Sequence, residues 1–198
     1  MVKRICMVLV FCLVSVSLSF AAAVEGVDVP DKFSVGDMEL VLNGAGVRVK
    51  SIGFIKKNIY VASLYLKEKT SNPQKIIAAD ETMVLRIKII TSLVTSERFT
   101  NHTKSGFQEA TKGNTTSIQK EIDTFLSVFA DEINNGDLFE IVYKKGAGVQ
   151  VFKNGSKEAK ATIPGMPLKS ALFAIWLGER SEKNLRALAK NLLSMPSS

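Results

Sequence analysis

The chain is poor in the residues that make metal sites and cross-links. Its 198 positions include two cysteines, one histidine and one tryptophan. A single histidine excludes a His/Cys zinc site and any two-histidine mechanism, and two cysteines are too few for a disulfide scaffold. No metal and no cofactor is therefore expected. Runs of lysine or arginine are also missing, so nucleic acid is not an expected partner. The modest basic excess, +7 in formal charge, is equally compatible with an acidic small molecule or a membrane surface. Low-complexity tracts, long repeats and linkers are absent as well, which leaves one domain as the expectation at this length.

The N-terminus is of a different character. Lys3 and Arg4 precede an apolar run from Ile5 to Phe20, followed by Ala21 and Ala23 in A-x-A spacing. This is the pattern of a cleaved secretory signal over residues 1–23, with a retained anchor as the alternative. The run is shorter than the ~20 residues that span a bilayer. Phe11 stands before Cys12, where a lipoprotein signal would have a small residue. Cys6 and Cys12 both lie in this segment, so a mature chain of residues 24–198 has no thiol. Loss of Lys3 and Arg4 lowers the formal charge from +7 to +5. The expected location is periplasmic or secreted, and nothing in the sequence sets the oligomeric state.

Along the mature chain, strands are expected at Lys32–Val35 and Met38–Leu42 around a Gly36-Asp37 turn, and then at Val47–Lys56 after a turn at Asn43–Gly46. Asn58–Leu66 and Met83–Thr91 follow as strands, the latter with Leu85, Ile87 and Ile89 on one face. Between them, Asn72-Pro73 opens a short helix. Two helices come next, one from Ser96 to about Lys112 behind Thr95 and one from about Thr116 to Ile133. Three strands, Leu138–Lys144, Gly148–Lys153 and Lys157–Ile163, include an Asn154-Gly155 hairpin signal. Helices at Leu168–Leu177 and at Ser181–Leu193, the second capped by Ser181, end the chain. This order implies an α+β fold, a largely antiparallel sheet under helices.

Few motifs carry chemistry. Gly44-Ala45-Gly46 leads into a strand rather than a helix, so turn or bulge glycines explain it, as they explain Gly146–Val149. Asp131–Gly136 fails as a calcium loop because Ile133 and Val142 occupy ligand positions. His102 has no acidic or thiol partner at helical spacing and reads as part of a solvated helix face. Asn101-His102-Thr103 and Asn114-Thr115-Thr116 match the glycosylation pattern, which matters only in a eukaryotic secretory route. Trp176 is expected in the core, with a cleft wall as the alternative. Arg48 stands between Val47 and Val49, opposite two expected core residues, and Tyr60 lies in the next strand. A guanidinium and a phenol on adjacent strands can hold one carboxylate or enolate oxygen. The alternative is a solvated charge beside a core-edge aromatic.

Asn43–Arg48 and Tyr60–Leu66 together resemble the opening of the chalcone isomerase superfamily. Gly106-Phe107, Asn135–Asp137, Phe152–Gly155 and Leu172–Gly178 continue the resemblance in order over most of residues 38–193, and it is strongest to the bacterial, secreted chalcone isomerase-like branch. It implies an open-faced β-sandwich, a long antiparallel sheet covered by a helical layer, with a ligand cleft between. Plant members cyclise a chalcone with an Arg, a Thr and a Tyr, while an Asn and a Ser/Thr contact the flavonoid. The Arg matches Arg48; the other four positions hold Tyr60, Phe99, Gly106 and a residue near Ile175. With one of five kept, the expected loss is about 3 kcal/mol for each missing donor. The resemblance therefore implies a non-catalytic protein. It would bind a small amphiphilic or aromatic ligand, such as a fatty acid, through Arg48 and Tyr60, with Phe99, Gly106 and Ile175 around it. The alternative is an isomerase that uses Arg48 and Tyr60 on an enolisable substrate. Membrane association is compatible with either.

Overall fold

A computed structural model of the chain describes residues 22–179 and 181–195. The leader read in residues 1–23 falls outside them except for its last two positions. Ala22 and Ala23 lie in β1 (Ala22–Val24), paired antiparallel with β2 (Val27–Val29).

Seven further strands make one antiparallel sheet in sequence order. They are β3 (Lys32–Val35), β4 (Met38–Ile52), β5 (Ile55–Leu66), β6 (Met83–Ile89), β7 (Leu138–Lys144), β8 (Gly148–Lys153) and β9 (Ala161–Ile163). The turn expected at Asn43–Gly46 is not a turn. The backbone runs straight through it as one long strand, with a register shift between Leu42 and Gly44 that leaves Asn43 unpaired. The true reversal is at Gly53-Phe54, inside the stretch expected as one strand, where Gly53 has a φ of 61°. Asn154 and Gly155 both take positive φ, but the chain runs on to Ala161 before β9 begins, so no two-residue hairpin forms.

Five helices cover one face: α1 (Pro73–Ala78), α2 (Ser96–Ala110), α3 (Gln119–Ser127), α4 (Met166–Leu177) and α5 (Lys183–Leu192). Asn72 and Thr95 cap α1 and α2 as their sequence positions imply, each side chain accepting a backbone N–H three residues on. The helix expected over 116–133 is shorter. A 3₁₀ turn at Thr116–Ile118 precedes α3, and the chain leaves helical geometry after Ser127. α5 starts two residues later than expected, with Glu182 rather than Ser181 at its N-cap.

The main core lies between helices and sheet, where Phe107, Phe125, Phe129, Leu172 and Phe173 meet Leu64, Leu85, Ile87, Phe139, Ile141 and Val151. Aromatic rings link up, Phe99 to Phe129 at 4.6 Å and Phe129 to Phe139 at 5.0 Å. A smaller cluster of Leu40, Tyr65, Val84 and Val142 buries the opposite face at one end, under Phe33. β5 is thus buried on both sides from Tyr60 to Leu66, which explains its continuous apolar run. α4 is the central helix of the layer. Its buried Lys169 donates to the carbonyls of Ile76, Ile77 and Ala79, satisfying the C-terminal end of α1.

Candidate functional site

A cavity of about 500 Å³ opens between the sheet and the helical layer, within the ~300–1,000 Å³ typical of small-molecule sites. All five residues singled out from the sequence line it: Arg48 from β4, Tyr60 from β5, Phe99 and Gly106 from α2, and Ile175 from α4.

Arg48 and Tyr60 are direct cross-strand partners, so both side chains leave the sheet on the same face. That face is the helix-covered one. Val47 and Val49, expected in the core, are the half-buried residues of the other face, and Arg48, 8% exposed, is the buried one. A buried guanidinium needs partners. Arg48 Nη2 donates to Glu182 Oε2 at 2.7 Å and Nη1 to the carbonyl of Val49 at 2.5 Å. Glu182, at the N-cap of α5, makes no side-chain cap and directs its carboxylate to Arg48 instead.

Tyr60 is buried at the cavity wall. Its hydroxyl accepts from Trp176 Nε1 at 2.9 Å and lies within hydrogen-bond reach of the Arg48 guanidinium. Burial pushes its pKa above 10.0, against the opposing pull of Arg48, so the phenol keeps its proton. Trp176 donates to the oxygen, and no acceptor for the Tyr60 proton is found among the described residues. Tyr60 is a poised donor and not a base.

Ile59, Leu93, Val94, Phe99, Ile175 and Leu185 make the apolar part of the wall, and Arg98, Thr103, Ser105, Glu109 and Ser181 add polar groups to it. At Gly106 α2 packs tightly against α4. A β-carbon there would fall 2.9 Å from Ile175 Cγ2, so a larger residue at 106 would separate the helices that roof the cavity.

The polar mouth contains residues that sequence reasoning set aside. His102 is not simply on a solvated face; it lines the cavity and accepts from the Lys50 ammonium through Nε2. Partial burial, with Lys50 and Arg48 nearby, lowers its pKa below 6.5 and keeps the ring neutral. The signal was present in the spacing, since His102 sits three residues after Phe99 and four before Gly106 on α2, hence on the same face. Trp176 is both core residue and cavity wall, at 3% exposure. Glu182 had no local signal, because its partner is far away in sequence. Among the described residues no cluster of three or more His, Cys, Asp or Glu side chains is placed to hold a metal ion.

The arrangement can therefore grip an acceptor oxygen at one end with a cation and a neutral donor, and bury an apolar body at the other. It offers little for proton transfer. Tyr60 retains its proton, Glu182 is tied to Arg48, Glu109 accepts from Ser181, and His102 Nε2 is occupied by Lys50.

Comparison with known proteins agrees with this architecture. No protein of curated function matches the chain in sequence. Among solved structures, the crystal structure of a fatty-acid binding protein from Arabidopsis thaliana superposes with a TM-score of 0.65 at 18% identity, over 85% of this chain and 92% of that one. Likeness at that identity is a likeness of fold. A profile of the family described as chalcone isomerase-like matches residues 21–193, nearly the whole described region. With its open seven-stranded antiparallel sheet under a helical layer, the chain belongs to the chalcone isomerase-like family.

Proposed function

We propose that the protein is a non-catalytic carrier or sensor that binds a fatty acid or similar amphiphilic anion in this cavity. The observation that supports it best is the cross-strand pair Arg48–Tyr60, a cation beside a phenol with an unspent proton, at the polar end of an apolar cavity. A carboxylate entering there replaces the Glu182 carboxylate on Arg48 and accepts from Tyr60. Glu182 is half-exposed and returns to water at little cost. The alkyl tail lies along Leu93, Val94, Phe99 and Ile175, gaining about 0.8 kcal/mol for each CH₂ buried. The structural neighbour described as a fatty-acid binding protein supports the ligand class by analogy of fold. Export through the leader in residues 1–23 completes the reading and places the protein in the cell envelope.

Mass spectrometry of material extracted from the purified protein tests the proposal, with Arg48→Ala beside the wild type. A stoichiometric amphiphilic acid is expected in the wild type. Arg48→Ala should weaken its binding by on the order of 10- to 100-fold, as loss of a charged hydrogen-bonding group implies. The fold should survive, because the orphaned Glu182 is open to solvent. An empty wild type, or a ligand indifferent to Arg48, would remove the anion clamp, and turnover of a chalcone would move the protein to the isomerases. Intact mass of the secreted chain tests cleavage near Ala23.

A further inference from the structure

The hairpin joining β4 to β5 outruns the rest of the sheet. β3 pairs with β4 only from Met38 to Val41, and β6 with β5 only from Tyr60 to Tyr65. Residues 49–58 are therefore a two-stranded ribbon whose ladder partners lie within the ribbon itself. At its apex stand the two most exposed large apolar side chains among the described residues, Phe54, wholly in solvent, and Ile55, 60% exposed. The ladder below pairs Lys56 with Ser51 and Lys57 with Lys50. No acidic residue occurs between Arg48 and Leu66, and among the described residues no ion pair engages Lys56 or Lys57.

Lysines alone suffice to keep a free ribbon edge from pairing with other chains. They do not account for a phenylalanine and an isoleucine at the apex, which gain nothing in water. An aromatic-aliphatic tip ringed by long cationic side chains matches one kind of partner. The rings and alkyl groups enter the acyl boundary of a bilayer, while the lysines stay at the level of anionic head groups. Charge complementarity selects the anionic surface. The ribbon is also continuous with the cavity, since Lys50 and Ser51 line its mouth.

We infer that the β4–β5 ribbon docks the protein on anionic phospholipid bilayers, with Phe54 and Ile55 inserted and Lys56 and Lys57 on the head groups. Docking in this pose sets the cavity mouth at the lipid surface. It stands on the ribbon alone and does not depend on what the cavity holds. Among the described residues no helix is long and apolar enough to cross a membrane.

Vesicle flotation tests it on the exported chain, its N-terminus established by intact mass. Phosphatidylcholine vesicles are compared with phosphatidylcholine–phosphatidylglycerol vesicles. The wild type should float with the anionic vesicles and not with the neutral ones, and high salt should release it. Lys56→Glu with Lys57→Glu is expected to weaken binding at least ~25-fold, from about fivefold for each lysine lost. Phe54→Ser with Ile55→Ser should weaken it at least ~10-fold. All four side chains are exposed, so unchanged thermal melting and unchanged cavity content serve as controls. Equal binding to neutral vesicles, or flotation indifferent to both double variants, would overturn the inference. A change of oligomeric state on gel filtration without a change in flotation would overturn it too, reassigning the tip to self-association.

Discussion

Arg48 already has a charged partner. Its Nη2–Glu182 contact of 2.7 Å joins a side chain 10% exposed to one 44% exposed. The resident carboxylate thus holds the guanidinium edge that, on the proposed function, a ligand carboxylate would take. Glu182→Gln keeps the shape and removes the charge. The variant is expected to bind a long-chain alkanoate on the order of fivefold more tightly by isothermal titration, with a stability change within about 1 kcal/mol. Unchanged or weaker affinity would mean that Glu182 assists the ligand rather than competing with it. The Arg48–Tyr60 pairing was legible in the sequence as two chemistry-bearing residues on successive strands. What could not be read there was the face they shared. The valines flanking Arg48 pointed to a core on their own side, but the helices lie over Arg48.

Among the elements, α5 decides whether Glu182 reaches Arg48, and β4 decides where α5 lies. Gly44 and Gly46 leave a trough in the strand. A β-carbon at Gly44 would stand 2.2 Å from the Asn191 carbonyl oxygen, and one at Gly46 would stand 2.7 Å from Asn191 Cβ. Bulged Asn43 fastens the same end, donating to the Leu192 carbonyl at 2.7 Å and accepting from Thr70 N–H, while Ser194 Oγ donates to its backbone carbonyl. These glycines are needed for close approach and not for a turn. Gly44→Ala is expected to destabilise the protein by about 2–4 kcal/mol in urea denaturation and to release α5. Amide exchange in residues 183–192 should then rise above that of α4. Uniform loss of protection along the whole chain would show instead that α5 and the core unfold together. Glycine in an otherwise apolar stretch suggested a turn or bulge because either device relieves local geometry. The relief here is for a helix almost 150 positions away in sequence, which no local pattern encodes.

Over the whole molecule, Asp137 and Tyr143, two of the buried ionisable groups outside the cavity, limit the pH range of stability at its two ends. Burial alone would raise the Asp137 carboxyl. The Asn134 N–H, the Asn154 amide and Lys153 outweigh it and hold the pKa below 3.8. A depressed carboxyl contributes stability that is complete above its unfolded pKa and is lost as pH falls through the folded one. Tyr143 is opposite in sense. Burial and its hydrogen bond to Asp80 at 2.6 Å raise it from 10.0 to about 12. It therefore contributes about 3 kcal/mol that is present below pH 10 and disappears between 10 and 12. Urea midpoints against pH should fall at the acid and alkaline ends of a plateau that itself rises from about pH 8 to 10, where Lys169, lowered from 10.5 to about 8 by burial, loses its proton. Asp137→Asn should flatten the acid limb and Tyr143→Phe the alkaline one, each at some cost to the plateau. An acid limb unmoved by Asp137→Asn would place the acid sensitivity in other carboxylates.

The sequence by itself determined the period-two and period-3.6 patterns, the caps at Asn72 and Thr95, the strand and helix order, and so the α+β class. These follow from interactions within a few residues of each other. It also determined which residue types were available to a site, since one histidine and no thiol beyond Cys12 excluded most chemistries. Only the tertiary structure decided which face of β4 the helices cover, that α5 brings Glu182 onto Arg48, that the exposed His102 stands at the cavity mouth beside Lys50, and that the β4–β5 ribbon runs past its neighbours. Each of these depends on contacts between segments far apart in the chain. Their energies are settled by packing and desolvation at the meeting point, and neither segment carries that information alone.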